Sequence, residues 1–474
     1  MCHTTIKGLI TSSEMEARIG LRVSKGKQTQ RTSSATLEIS PGSVHSCPTE
    51  GPSKRGNCST LRFAAMLPTA ALCLSLVSMV STSTSQQPLT SGDPQQKSFS
   101  SLSHPSWSLG LEVYRALRSE GSHINTLISP VLLANSLSAL SHTAKGATAR
   151  QLQELLKTNK DEKQAEKSSS SPLKSMRKAN GTSYVLHGSS AIFSKQVPTL
   201  ESSFLEELQA QFELDHVALG AGDKQGDMEK LSSWAKSGMG GVKEMPLNEG
   251  PDAKEGALIL ASALHFKGFW DHGFDKENED LRSFLGTKYT KVHMMHRAGV
   301  YHHYEDIENM VQVLELGLWG GKASMVLLLP FHVESLARLE RVLTLEQLEK
   351  WLGKLSSMSM ALSLPRVNVS STLSLQKQLV ALGVVDAWDQ KVADFSGLGK
   401  GKLHLGDVLH WASLELVSDS GSKDGIDEDQ HVEKPKRFYA DHSFIILVKD
   451  NSTGALLMLG ALDLAEGATL HDEL

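Results

Sequence analysis

Histidine is the residue type in this chain with the most chemistry open to it: there are 19 among 474 residues. His293, His296, His302, His303 and His332 crowd into one stretch, and His442 follows near the end. Imidazoles can ligate a metal or change charge near neutral pH. No cysteine or carboxylate set stands beside these rings at metal-ligand spacing, so no metal centre is expected. Either they are bystanders at or near the surface, or they titrate between about pH 6 and 7.5 as a proton-linked switch.

Other reactive constellations are missing. The chain has no G-x-S-x-G elbow, no P-loop and no H-E-x-x-H. Gly397-Leu398-Gly399-Lys400-Gly401 lacks dinucleotide-loop spacing, does not open a helix, and reads as a turn. Neither an enzyme nor a bound cofactor is expected. The formal net charge of −5 gives no reason to invoke nucleic acid.

The elements that carry these residues follow from periodicity. Apolar residues at helical spacing predict helices over Leu109–Leu117 and Leu132–Leu140, with a third over Thr148–Leu156. Met325–Leu329 and Met360–Leu364 are apolar runs that stop at Pro330 and Pro365, as buried strands do. Between them Leu336–Leu355 is amphipathic, and the capping-box spacing of Thr344 and Gln347 starts a second helix inside it. Phe444–Val448 and Ala455–Leu459 read as strands joined by Lys449–Gly454, whose Asp-Asn-Ser-Thr-Gly chemistry predicts a hairpin. Strands and helices without regular βαβ alternation imply a single large α+β domain.

Both ends carry addressing signals. The chain closes on His471-Asp472-Glu473-Leu474, the pattern of a receptor-read address for retention in the endoplasmic reticulum. Leu67–Val80 is an apolar run of signal-peptide length, followed by the small residues Ser81–Ser85. Residues 66–85 therefore read as a signal peptide starting at Met66 and cleaved before Gln86, and residues 1–65 as disordered or untranslated. Cys2, Cys47, Cys58 and Cys73 all fall at or before that run, so the mature chain is expected to lack thiols. No other run approaches the ~18 apolar residues of a membrane span, so no membrane insertion is expected.

Residues 86–105 are a linker rich in Ser, Pro and Gln, 106–464 the folded domain, and 465–474 a tail. Asp161–Lys174 is a charged, serine-rich loop. Glycosylation sequons stand at Asn180, Asn368 and Asn451, with Asn57 upstream. Asn451, at the predicted hairpin tip, is the best-exposed acceptor.

Several segments together resemble the serpins. Asn125-Thr-Leu-Ile-Ser-Pro130 followed by Lys145-Gly-Ala-Thr148 resembles the family's early helix and turn. Leu260-Ala-Ser-Ala-Leu-His-Phe-Lys-Gly-Phe-Trp270 resembles its central L-x-N-A-x-x-F-K-x-x-W strand, with Ser262 for the usual Asn. Phe438-Tyr-Ala-Asp-His-Ser-Phe444 resembles the C-terminal signature, with Ser443 for Pro. The resemblance runs from about Ser106 to Leu464. It implies helices packed around three mainly antiparallel sheets and an exposed reactive loop.

In inhibitory serpins that loop has a hinge of small residues, so that after cleavage it inserts as a new strand. Here the stretch is Ser420-Gly-Ser-Lys-Asp-Gly-Ile-Asp-Glu-Asp-Gln430. Lys423, Asp424, Asp427, Glu428 and Asp429 stand where compact side chains are needed. Every second residue of an inserting strand faces the core, and burying an unpaired charge costs several kcal/mol, roughly. A non-inserting loop and a non-inhibitory protein are expected. A secretory-pathway serine protease inhibitor, or a serpin-fold carrier of small ligands, is the alternative.

Within the family the chain resembles the colligins, the collagen-binding heat-shock branch, as a divergent paralogue. Met294-Met-His-Arg-Ala-Gly299, His332-Val-Glu-Ser-Leu-Ala-Arg-Leu-Glu340 and Phe438-Tyr-Ala-Asp-His442 carry that resemblance, with the tail, where His471 stands for Arg. It implies a stress-responsive chaperone of the endoplasmic reticulum lumen whose partners are the collagen or procollagen triple helix and the retrieval receptor that reads the tail. It further implies that Asp441 accepts an arginine from a Gly-X-Arg triplet, with Tyr439 as an apolar wall. Arg282, His296, Ser363 and His442 match other positions at or near the collagen face. Leu285 replaces a methionine there, a volume-conserving change. Arg437 replaces a leucine, placing a cation near a site meant for one. Release at lower pH would fall to His293, His296, His302, His303, His332 and His442.

Overall fold

The computed structural model describes residues 102–121, 125–157, 181–197, 199–241, 245–247, 249–251, 253–421 and 433–469. The apolar run Leu67–Val80, the four cysteines, the linker up to residue 101, the serine-rich loop, Asn57, Asn180, residues 422–432 and the tetrapeptide His471–Leu474 lie outside the described residues.

Among the described residues the strands, numbered in chain order, form three sheets. The largest runs β1 (Thr126–Ile128), β16 (Leu456–Leu462), β15 (Phe444–Asp450), β9 (Ala323–Pro330), β8 (Val311–Gly317), β7 (Tyr289–Asp306), β10 (Ser356–Pro365), β14 (Lys436–Tyr439). β6 (Glu279–Leu285) and β17 (Ala468–Thr469) also pair with β7. A second sheet has the order β11 (Val367–Ser374), β13 (His404–Leu416), β5 (Ala257–Gly268), β2 (Tyr184–Lys195), β4 (Leu214–Leu219). The third joins β3 (Thr199–Leu200) to β12 (Gly399–Lys400). Pairing is antiparallel except for β10 with β14, β13 with β5, and β2 with β4. No helix among the described residues is long and apolar enough to cross a membrane.

Most local expectations hold, for identifiable reasons. Helix α1 (Pro105–Ser119) starts with proline in its first turn, and its buried stripe includes Leu109, Val113 and Leu117. Helices α2 (Pro130–Thr143) and α3 (Gly146–Leu156) follow. The amphipathic stretch breaks in two at Thr344, whose hydroxyl accepts from the Gln347 amide at 3.0 Å. Only half the capping box forms, because the Gln347 side chain turns instead to the Asp306 carboxylate at 3.2 Å. That carboxylate also takes the Trp351 indole N–H at 2.7 Å, stapling the helix Leu345–Gly353 onto the end of β7. The β15–β16 hairpin is in place, with Gly454 at φ 71° where a side chain would strain the turn. Gly397–Gly401 is more than a turn, since Gly399–Lys400 forms β12.

β5 and β13 lie side by side and parallel, from Ala257 opposite His404 to Lys267 opposite Glu415. Both are buried on two faces, so their apolar residues run on without alternation. At their centre His410 is fully buried: its Nε2 accepts from the Ser129 amide at 2.8 Å and its Nδ1 donates to Ser262 Oγ at 2.7 Å. Serine at 262 thus gives this ring an acceptor.

Candidate functional site

β6, β7, β10 and β14 lie edge to edge, and their register assembles one face. Tyr439 on β14 stands opposite Ser363 on β10, which stands opposite His296 on β7. Strand alternation turns Arg437 and Tyr439 outward and buries Phe438 between them. The Arg437 guanidinium lies 6.0 Å from the centre of the Tyr439 ring, within cation–π range. Ser363 shares the face of Tyr439 and His296 by register but is only 3% exposed there.

Past β14 the chain crosses to β6. The Leu285 amide donates to the Asp441 carbonyl at 2.7 Å, and half-buried Leu285 bridges to His442. Asp441 keeps 44% of its side chain exposed, with Oδ1 2.8 Å from His442 Nδ1. The His442 ring is buried, and its Nε2 faces the Pro330 carbonyl at 3.0 Å. Both ring nitrogens therefore lie within hydrogen-bond reach of an acceptor oxygen. The other Asp441 oxygen has no hydrogen bond among the described residues. The carboxylate thus offers a cation one free oxygen, whereas a bidentate pair with a guanidinium requires two.

The residue that sequence reasoning missed is Asp280. Its carboxylate accepts from Arg282 Nε at 2.8 and 2.9 Å, from Arg282 Nη2 at 2.7 Å, and faces His296 Nε2 at 2.8 Å. Hydrogen bonds from Arg282 first, then His296, hold this carboxyl well below the usual carboxylate range. Arg282 is shifted up in turn by Asp280, with a smaller contribution from the nearby Tyr439 phenol. A signal was available: Asp280 and Arg282 are two apart on a strand and so share a face.

The six candidate sensor histidines do not form one group. His296 and His442 belong to this face. His303 is buried behind it, edge-on to Phe438 at 6.3 Å, and burial pushes its pKa down. His293 is exposed on β7 opposite Leu281, while His302 lies nine residues further on, roughly 30 Å at strand rise. His332 is exposed in the loop after β9. The six named histidines are thus spread out: His296 and His442 at this face, His303 beneath it, His293 and His302 apart along β7, and His332 two residues beyond Pro330, whose carbonyl faces the His442 ring.

Of the described sequons, Asn368 points outward from β11, and Asn451 sits exposed at the β15–β16 tip. Asn451 is not free there, since Nδ2 donates to the Gly321 carbonyl at 3.2 Å. No group of histidine, cysteine and carboxylate side chains suited to a metal ion occurs among the described residues.

Comparison with known proteins agrees with this architecture. The family model described as Serpin (serine protease inhibitor) matches residues 106–463. Serpin H1 of Mus musculus is 32% identical over 378 residues, covering 79% of this chain and 90% of the relative. Serpin H1 of Gallus gallus is likewise 32% identical, with 79% and 93% covered. Serpin B8 of Homo sapiens is 28% identical, with 74% and 96% covered. Among solved structures, human thyroxine-binding globulin in complex with thyroxine superposes with a TM-score of 0.68 at 22% identity, covering 77% and 98%. Uncleaved ovalbumin gives 0.67 at 20% identity, covering 77% and 100%, and at such identity the likeness bears on fold alone. A matched model spanning the whole described core, and two central parallel strands lying side by side in it, have one reading: this chain belongs to the serpin family.

Proposed function

We propose that this chain is a non-inhibitory serpin of the endoplasmic reticulum lumen, a chaperone that binds collagen or procollagen triple helices at Gly-X-Arg sites and releases them at lower pH. The observation that carries the reading is Asp441: a half-exposed carboxylate with a free oxygen, beside the exposed Tyr439 ring, in a chain 32% identical to Serpin H1. A triple helix is a narrow rod with glycine confined to its axis, so it must be recognised through protruding side chains. An arginine donor matches a lone carboxylate oxygen on an open wall. Luminal placement is supported by Leu67–Val80 and by the colligin-like segments.

The His442 contact supports release in acid. His442 already occupies one oxygen of the carboxylate that the collagen arginine needs. Capture of the mature protein on native collagen at pH 7.5, little capture on heat-denatured collagen, and elution toward pH 6 is the expected result. Equal capture on both forms would remove the triple helix as the partner. Affinity flat across that pH range would remove the switch.

Arg437 should act against the partner. Two cations competing for one carboxylate weaken each other, so Arg437→Leu is expected to tighten collagen binding about fivefold after solvent screening. A titration against a triple-helical Gly-X-Arg peptide reads this directly, and weaker binding would mean that Arg437 is itself a contact.

The non-inhibitory part rests on the loop's charges and on how its root is held. Beyond β13 the chain stays zipped to the segment after β5. The Trp270 amide donates to the Asp419 carbonyl at 3.0 Å, Phe274 to Ser418 at 3.1 Å, and Gly421 to Trp270 at 3.2 Å. Lys267 pairs with Asp419 at 2.6 Å. An inserting strand would have to break this zipper and part β5 from β13 as well. Cleavage between about Gly425 and Lys434 is therefore expected to leave the melting temperature nearly unchanged, with no SDS-stable complex with a serine protease. A large rise in stability after nicking would restore the inhibitor reading.

A further inference from the structure

Two exposed carboxylates share the proposed collagen face, and they differ in one respect. Asp280 and Asp441 have nearly equal side-chain exposure, 46% and 44%. Both oxygens of Asp280 are engaged, by three contacts from Arg282 and one from His296. Asp441 has one oxygen occupied by His442 and one open. Of the two, Asp441 alone offers an incoming arginine an oxygen without a hydrogen bond among the described residues.

We infer that Asp280 is a positioning residue: it holds Arg282 back and so keeps Asp441 open for the partner's arginine, an inference that rests on the collagen reading above. Arg282 lies on β6, the same strand whose Leu285 amide binds the Asp441 carbonyl at 2.7 Å. The Tyr439 phenol, two residues before Asp441, lies close enough to contribute to the upward shift of Arg282. Arginine is long and flexible, and this one is exposed over 58% of its side chain. Released from Asp280 it becomes an unpaired cation on a wall that already carries Arg437. A tethered cation near an open carboxylate competes at an effective concentration on the order of millimolar or more, without having to diffuse.

The sheet geometry sets the restraint. Asp280 and Arg282 are two apart and point the same way. Asp280 pairs with Met294, so His296 is its diagonal neighbour across the strands, within reach of a long side chain. The carboxylate thus holds two cationic or donor groups side by side and removes the larger charge from the approach path.

The test is a double-mutant cycle on the full mature chain, titrated against a triple-helical peptide with a central Gly-X-Arg. Asp280→Asn should weaken binding about fivefold or more, yet cost less than about twofold in the Arg282→Gln background. Asp280→Glu, which keeps the charge, should recover most of the loss. Melting temperatures should stay together, since every changed group is exposed. Asp280→Asn binding like wild type, or losing as much with Arg282 already replaced, would overturn the inference. Asp441→Asn runs alongside as the control. If it too binds like wild type, the collagen reading fails; if it weakens while Asp280→Asn does not, only the role of Asp280 fails.

Discussion

Asp441→Asn is expected to lower affinity for a triple-helical Gly-X-Arg peptide at least ~30-fold, corresponding to about 2–3 kcal/mol. The substitution keeps the shape and discards the charge. Removing one partner of a desolvated charge pair costs mostly because the other is left buried and unpaired. The lower part of the usual range applies because one oxygen of Asp441 is already taken by His442 at 2.8 Å. The fold should be little affected, since the asparagine carbonyl can still accept from His442 Nδ1, and the side chain is 44% exposed. Unchanged affinity would refute the site. A matching fall in melting temperature would mean that the contact serves the fold and not the partner.

Acid should unfold this protein through a different residue. Burial holds the His410 pKa at about 3, against 6.5 for the free side chain. A depressed imidazole pKa means that the unfolded chain takes up the proton first. Stability is therefore complete above about pH 6.5 and drains away as pH falls toward 3, by about 1.4 kcal/mol per unit once well below 6.5. The hydrogen bonds explain the resistance to charging, because Nε2 already accepts from the Ser129 amide and has no room for a proton. At pH 5 the loss from His410 alone is about 2 kcal/mol. His303, His265 and His216, all lowered by burial, act in the same direction.

Urea midpoints at pH 7.5 and 5.0 measure the sum. His410→Asn should be less stable at pH 7.5 but lose less on acidification. Equal losses in both proteins would remove His410 as the cause. The same relation places His410 outside the proposed release step. Near pH 6.3 its contribution is only about 0.6 kcal/mol, too little to loosen the domain. The release proposed above therefore rests on the face and not on His410.

Local pattern and composition determined a good deal. Helices α1 to α3, the break at Thr344, the strands ending at Pro330 and Pro365 and the β15–β16 hairpin are each written in a dozen residues or fewer. Caps, apolar period and turn chemistry act over that range, so these elements were legible without any partner. The serpin resemblance was legible too, since its segments are contiguous. β5 and β13 were harder, because a strand buried on both faces loses the alternation that marks it.

The site was legible as a set of names and not as a geometry. Whether Asp441 is open, whether Ser363 can be reached and whether the histidines gather depends on which strands become neighbours. β7 pairs with β10, and β10 with β14, across tens of residues of intervening chain, and no local period records that choice. The register set Ser363 between Tyr439 and His296, put Asp280 diagonally across from His296, and left His302 six residues along β7 from His296. Electrostatic partners follow from these placements over a few ångströms, where Coulomb and hydrogen-bond energies are decided. Residue types therefore fixed what chemistry was available, while the pairing of distant strands decided which of those groups meet.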